Sequence, residues 1–152
     1  MTPTKHSSKG LLWTGRILSG LMTAFLLMDA VMHIAQPAAV VEAFARLGFP
    51  LRFAAGLGLI ELACVLVYVY PRTAVLGAIL LTGYLGGAVA MHLRVGSALF
   101  AEMLFPVYVG VLLWAGLYLR EPRLSALLPW TRAAKSRESA PQAYARARVA
   151  QQ

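Results

Sequence analysis

The chain has 152 residues, 59% of them apolar and only 13% charged, with a mean hydropathy of +0.67. Soluble domains carry about 45–50% apolar residues, so this composition excludes an ordinary water-facing domain and makes lipid the expected solvent. The formal net charge is +8, but seven of the 14 Lys and Arg residues lie from Arg120 onward. The charge therefore belongs to a tail rather than to a folded basic face, and nucleic acid is not an expected partner. Cys64 is the single cysteine, which excludes an intrachain disulfide or a CxxC redox pair.

Residues 1–10 are polar and read as a mobile cytoplasmic N-terminus. The first span covers residues 11–34, with Arg16 near its start and Asp29 and His33 in its final turns. Three further apolar segments follow it, so it is a span and not a cleaved leader. Between the first two spans, Val40, Val41, Phe44 and Leu47 fall on one helical face while Glu42 and Arg46 make an i,i+4 pair opposite. This pattern predicts a short interfacial helix, stopped by Gly48 as its C′ residue and by Pro50.

The second span covers residues 53–70 and carries Glu61 near its middle. Pro71 and Arg72 turn the chain into the third span, residues 73–93, whose length suits a bilayer at about 20 residues per crossing. Gly83 and Gly87 form a GxxxG pair there, with Gly86 in the neighbouring small-residue row. Such rows allow close helix packing in lipid, so the third span reads as the buried centre of the bundle. The fourth span covers residues 98–119, with Glu102 one turn in and Pro106 placed to kink it. The membrane domain thus occupies 11–130, with an interfacial turn closing it. Residues 131–152 hold too little apolar surface to fold and read as a disordered basic cytoplasmic tail. The predicted fold is all-α: a four-transmembrane-helix bundle with one interfacial helix.

Basic residues near the span ends divide unequally. Lys5, Lys9, Arg16, Arg72, Arg120, Arg123, Arg132, Lys135 and Arg137 fall on one side; Arg46, Arg52 and Arg94 fall on the other. Nine against three places both termini in the cytoplasm. Trp13, Tyr68, Tyr70, Tyr118 and Trp130 mark the same inner boundary, as an aromatic belt does.

Asp29, His33, Glu61, His92, Arg94 and Glu102 then share the outer half of the bundle, contributed by four different spans. A charge at membrane depth costs about 2.5–3.5 kcal/mol even on insertion scales, so these groups are expected to face inward and pair. Asp29 should pair with His33, four residues on, and Glu61 and Glu102 should reach His92, Arg52 or Arg94. Together they form the candidate outward-opening ligand pocket; the competing structural explanation makes them polar glue between helices. Asp29, His33, Glu61 and His92 are chemically suited to a metal. The paired Glu-x-x-His pattern of di-iron bundles, CxxC and HExxH are all missing from the sequence, and no metal is assigned. The sequence also has no Ser-His-Asp pattern or P-loop. Gly56-Leu57-Gly58 lies inside a span, where it serves packing.

The phrases GRILSGLMTAFLLMDAVMH, EAFARLGFP, GLIEL, YPRTAVLGAILLTGYLGGAVAMHLRVG and LLWAGLYLREPRLSALLP resemble the DoxX-like family of small bacterial membrane proteins, from about Gly15 to Pro129. The resemblance implies a four-helix protein of the bacterial inner membrane, with Asp29, Glu61, His92 and Arg94 at matched polar positions. GSALFAEMLFP, which contains Glu102, matches more loosely. DoxX itself resembles the small membrane subunit of a thiosulfate:quinone oxidoreductase. The resemblance therefore implies a quinone- or small-lipid-binding subunit of a redox-linked complex. No cofactor is expected within the chain; a bound quinone is the expected ligand. A soluble oxidoreductase, a membrane protein or a second copy is the expected partner. A non-catalytic assembly factor or chaperone is the alternative, and a small transporter a weaker one.

Overall fold

Four long apolar helices and one short amphipathic helix account for the described chain. The computed structural model describes residues 6–121 and 124. Residues 1–120 and 121–152 are separate units, and the first holds the membrane bundle. The basic tail expected over 131–152, the interfacial turn before it and the belt position of Trp130 lie outside the described residues.

Helix α1 (His6–Ala35) begins five residues before the predicted span, so residues 6–10, expected to be mobile, are helical. It ends where Gln36 adopts a left-handed conformation (φ 51°) ahead of Pro37. Pro37 then leads into α2 (Ala38–Arg46). The close of α2 is a Schellman motif: Phe49 N–H donates to Phe44 O at 2.9 Å, Gly48 N–H to Ala45 O at 3.0 Å, and the Phe44 and Phe49 rings meet at 5.8 Å. Gly48 takes the left-handed position (φ 58°) that a side chain would strain. This is the short amphipathic helix that the pattern predicts between the first two spans, and its buried residue is Phe44.

A 3-10 turn, Leu51–Phe53, opens α3 (Ala54–Val69), and α4 (Ala74–Val95) follows after a tight turn. Thr73 ties that turn down by donating its hydroxyl to Val67 O at 2.7 Å. A π-helical stretch, Leu99–Met103, precedes α5 (Phe105–Arg120). Pro106 was expected to kink a continuous fourth span. Instead the helix restarts at Phe105, so the proline sits in a first turn, where a missing N–H costs nothing.

Helix α1 packs on α3 and α5, and α4 packs on the same two, so α1 and α4 lie on the diagonal. The expectation of α4 as a buried centre is therefore corrected: it is one corner of a four-cornered bundle. Gly83, Gly86 and Gly87 are exposed, and a Cβ added at any of them meets nothing within 4 Å. Close helix contacts within the chain instead use Gly15, Gly58, Gly77 and Gly116, where an added Cβ would come within 3 Å of a neighbouring helix. Tyr68, Leu26, Leu81, Leu113 and Leu117 fill the interior. Outside, Leu21, Met28, Leu59, Leu66, Ile79, Leu93 and Val111 are each more than half exposed. Among the described residues, four helices are long and apolar enough to cross a membrane. With only 17–33% of each span's apolar window buried within the chain, their outward faces are suited to acyl chains, and the chain is a multi-pass membrane protein.

Candidate functional site

Helical spacing puts Asp29 and His33 on one face of α1, four residues apart. His33 Nδ1 lies 3.0 Å from the Asp29 carbonyl oxygen, 3.5 Å from Asp29 Oδ2 and 3.7 Å from Glu61 Oε2. Glu61 enters from α3 and is fully buried. Tyr84 enters from α4 and donates its hydroxyl to Glu61 Oε2 at 3.0 Å. Among the described residues, Glu61 Oε1 is the buried side-chain atom left without a hydrogen-bond partner. An unmet buried acceptor costs about 1–3 kcal/mol.

The approach of α1 to α3 depends on Gly58. A Cβ there would sit 2.7 Å from Ala30 O and 2.9 Å from His33 Cβ. Phe44 of α2 closes the outer side, its ring edge-on to His33 at 5.7 Å. Asp29 remains 42% exposed while Glu61 is at 0%. The side chains thus cross from α1 through α3 to α4 as acceptor, donor, acceptor and donor, Asp29, His33, Glu61 and Tyr84, with Glu61 the most buried.

The other predicted residues form a separate layer. His92 Nδ1 lies 3.0 Å from Ser97 Oγ and 3.9 Å from Glu102 Oε2. Ser97 is placed there by a second Schellman turn, in which its N–H donates to His92 O at 3.0 Å around left-handed Gly96 (φ 68°). Arg94 donates to the carbonyls of Leu47 and Gly48 and so fastens the end of α2 to the end of α4. Arg52 stacks on Phe53, its guanidinium carbon 4.9 Å from the ring centre. Glu61 was expected to reach His92, Arg52 or Arg94; it meets His33 and Tyr84 instead. The reason is depth: His92 follows Tyr84 by eight residues, about 12 Å along the helix.

Tyr84 was missing from the sequence reading, although a lone tyrosine in mid-span, away from either aromatic belt, is a polar group needing a partner. Tyr68, read only as belt, also reaches inward. It is fully buried, and its hydroxyl lies within hydrogen-bond reach of Ser19 Oγ (3.1 Å) and Leu113 O (3.2 Å), its one proton serving the carbonyl when the serine hydroxyl donates to it.

Asp29, His33 and Glu61 offer one nitrogen and two oxygens within 4.8 Å of one another. Ligand atoms of a tetrahedral divalent ion stand about 3.4 Å apart at bond lengths near 2.1 Å, so the set suits such an ion by type and spacing. His33 would have to turn Nδ1 away from the Asp29 carbonyl to take part. As it stands, the cluster is an acceptor-rich group of side chains graded from half-exposed Asp29 to buried Glu61.

Replacing Arg94 by glutamine is expected to loosen α2 without unfolding the spans. Losing the clasp should cost about 1 kcal/mol, read as about fivefold faster amide exchange over Phe44–Phe49 while α3 and α4 keep their protection.

A comparison with curated proteins finds no match, and a comparison with solved structures finds none. The sequence pattern of the DoxX-like family matches residues 17–116, a stretch holding α2, α3 and α4 whole and most of α1 and α5, with every member of both polar layers. The chain belongs to the DoxX-like family.

Proposed function

We propose that this chain is an inner-membrane protein with both termini in the cytoplasm, binding a quinone or similarly headed small lipid for a redox-linked complex. The observation that carries this is Glu61 Oε1, a buried acceptor with no donor, in a cluster that opens to the bundle surface through half-exposed Asp29. A quinol hydroxyl supplies the missing donor, while the Tyr84 hydroxyl, spent on Glu61 Oε2, holds that carboxyl group in place for it. Electrons would come from a partner, since Cys64 is buried and single.

Native mass spectrometry of the full chain from mild detergent tests this. A retained quinone that is lost in Tyr84→Phe supports it. A retained divalent ion with no organic ligand, or a bare chain after extraction with quinone supplied, overturns it.

The alternative, a membrane assembly factor, is favoured by the open small-residue edge of α4. Gly83, Gly86 and Gly87 face away from the chain's own helices, and an apolar groove of about 420 Å³ lined by Gly86, Val89 and Gly110 lies beside them. Gly83→Leu with Gly87→Leu should leave the bundle folded, because both positions are open. Loss of a stoichiometric membrane partner in that variant, with no ligand bound to the parent chain, decides for assembly.

A further inference from the structure

A second cavity lies at the other end of the bundle, where α1 begins and α5 finishes. Its volume is about 310 Å³, and its lining includes Arg16 and Arg120, the polar residues Ser19 and Thr23, and the small residues Gly20 and Ala24. The lining contains two guanidinium groups and no carboxylate. Along α1 the lining positions 16, 19, 20, 23, 24 and 27 form one straight stripe. It runs from Arg16 to Leu27, about 16 Å at the helical rise. The cations stand at one end of the furrow, and Leu27 closes the apolar other end.

The two arginines are held differently. Arg120 is half-buried, donates one N–H to Tyr68 O at 3.4 Å and lies over the Tyr68 ring at 4.8 Å, which fixes its position while other N–H groups remain. Arg16 is exposed, with only a 5.6 Å approach to the Trp13 ring. Ser19 is 2% exposed and shares a hydrogen bond with the Tyr68 hydroxyl. The floor is a gap rather than a packed surface: a Cβ at Gly20 would meet nothing within 4 Å.

We infer that this furrow binds an anionic glycerophospholipid, its phosphate between Arg16 and Arg120 and one acyl chain laid over Gly20 and Ala24. Basic pockets between transmembrane helices recognise anionic headgroups in this way, and guanidinium groups suit phosphate through paired donors. The apolar floor matches the chain that any bilayer phosphodiester carries, which free phosphate lacks. The site uses none of the Asp29–Tyr84 cluster and stands or falls independently of it.

The test uses the full chain purified in mild detergent, incubated with equal amounts of phosphatidylglycerol and phosphatidylcholine and weighed by native mass spectrometry. Phosphatidylglycerol should be retained in preference. Arg16→Gln should lower its retention about fivefold, the order expected for one guanidinium at a lipid surface. Arg16 is exposed, so the variant should fold. Gly20→Leu fills the furrow without a clash and should lower retention of both lipids. Equal retention of the two lipids, or unchanged phosphatidylglycerol retention in both variants, overturns the site. So does inorganic phosphate that raises the melting temperature as much as phosphatidylglycerol does, since that marks a free-anion site.

Discussion

Glu61→Gln is expected to leave a folded, membrane-inserted protein that binds its ligand ten- to a hundredfold more weakly. Glutamine preserves the side-chain volume and an acceptor oxygen for the Tyr84 hydroxyl, now 3.0 Å from Glu61 Oε2. What disappears is one of the two acceptors: an amide N–H then faces the ligand hydroxyl, and a buried donor left without an acceptor costs about 1–3 kcal/mol. At about 1.4 kcal/mol per decade, that is one to two powers of ten in affinity. Glu61→Ala should behave differently. It leaves Tyr84 without its acceptor, opens a cavity where a fully buried side chain stood, and should cost about 3 kcal/mol of stability. The pair separates the two roles that the sequence left open. If Glu61→Gln already prevents accumulation in the membrane, the cluster is helix glue, and the ligand pocket is lost with it. If the glutamine variant accumulates and binds quinone like the parent chain, the pocket is wrong for the opposite reason.

Span number, the interfacial helix and its glycine stop were legible because each follows from local chemistry. Apolar length sets the spans, and Gly48 before Pro50 can only end α2. The pairing of Asp29 with His33 was legible too, since i,i+4 spacing fixes it within one helix. What could not be read was rotation and neighbour order. A GxxxG row shows that one face of α4 is small, not which way it turns. In this bundle α4 turns Gly77, Ala78, Leu81 and Leu85 inward and leaves Gly83 and Gly87 outside. Depth was also blurred. His92 and Glu61 share the same half of the bundle but different layers, because a 12 Å offset along a helix is two full turns. Tyr84, which joins α4 to the cluster, is 23 residues from Glu61. Nothing local announces that contact.

The packing glycines give the largest expected effect on folding. At Gly77, an added Cβ would run into the Cα, backbone nitrogen and Cβ of Tyr68. Backbone atoms cannot rotate away as a flexible side-chain tip can, so relief requires α3 and α4 to separate. Tyr68 is also pinned from other helices: its hydroxyl bonds to Ser19 of α1 and Leu113 O of α5, and Arg120 holds its carbonyl. Moving it breaks a buried set of contacts that joins all four spans. Gly77→Ala should therefore cost about 3 kcal/mol, the upper end for overpacking one methyl group, and Gly77→Val should abolish accumulation. Gly83→Ala is the control on the same helix. Its Cβ meets open space, and removing a glycine from a helix interior gains about 0.5–1 kcal/mol. An SDS titration of the full chain reads both: the unfolding midpoint should fall for Gly77→Ala and hold or rise for Gly83→Ala. The reverse order would mean that α4 packs through its GxxxG face after all, and the four-cornered arrangement with α1 opposite α4 would have to be abandoned.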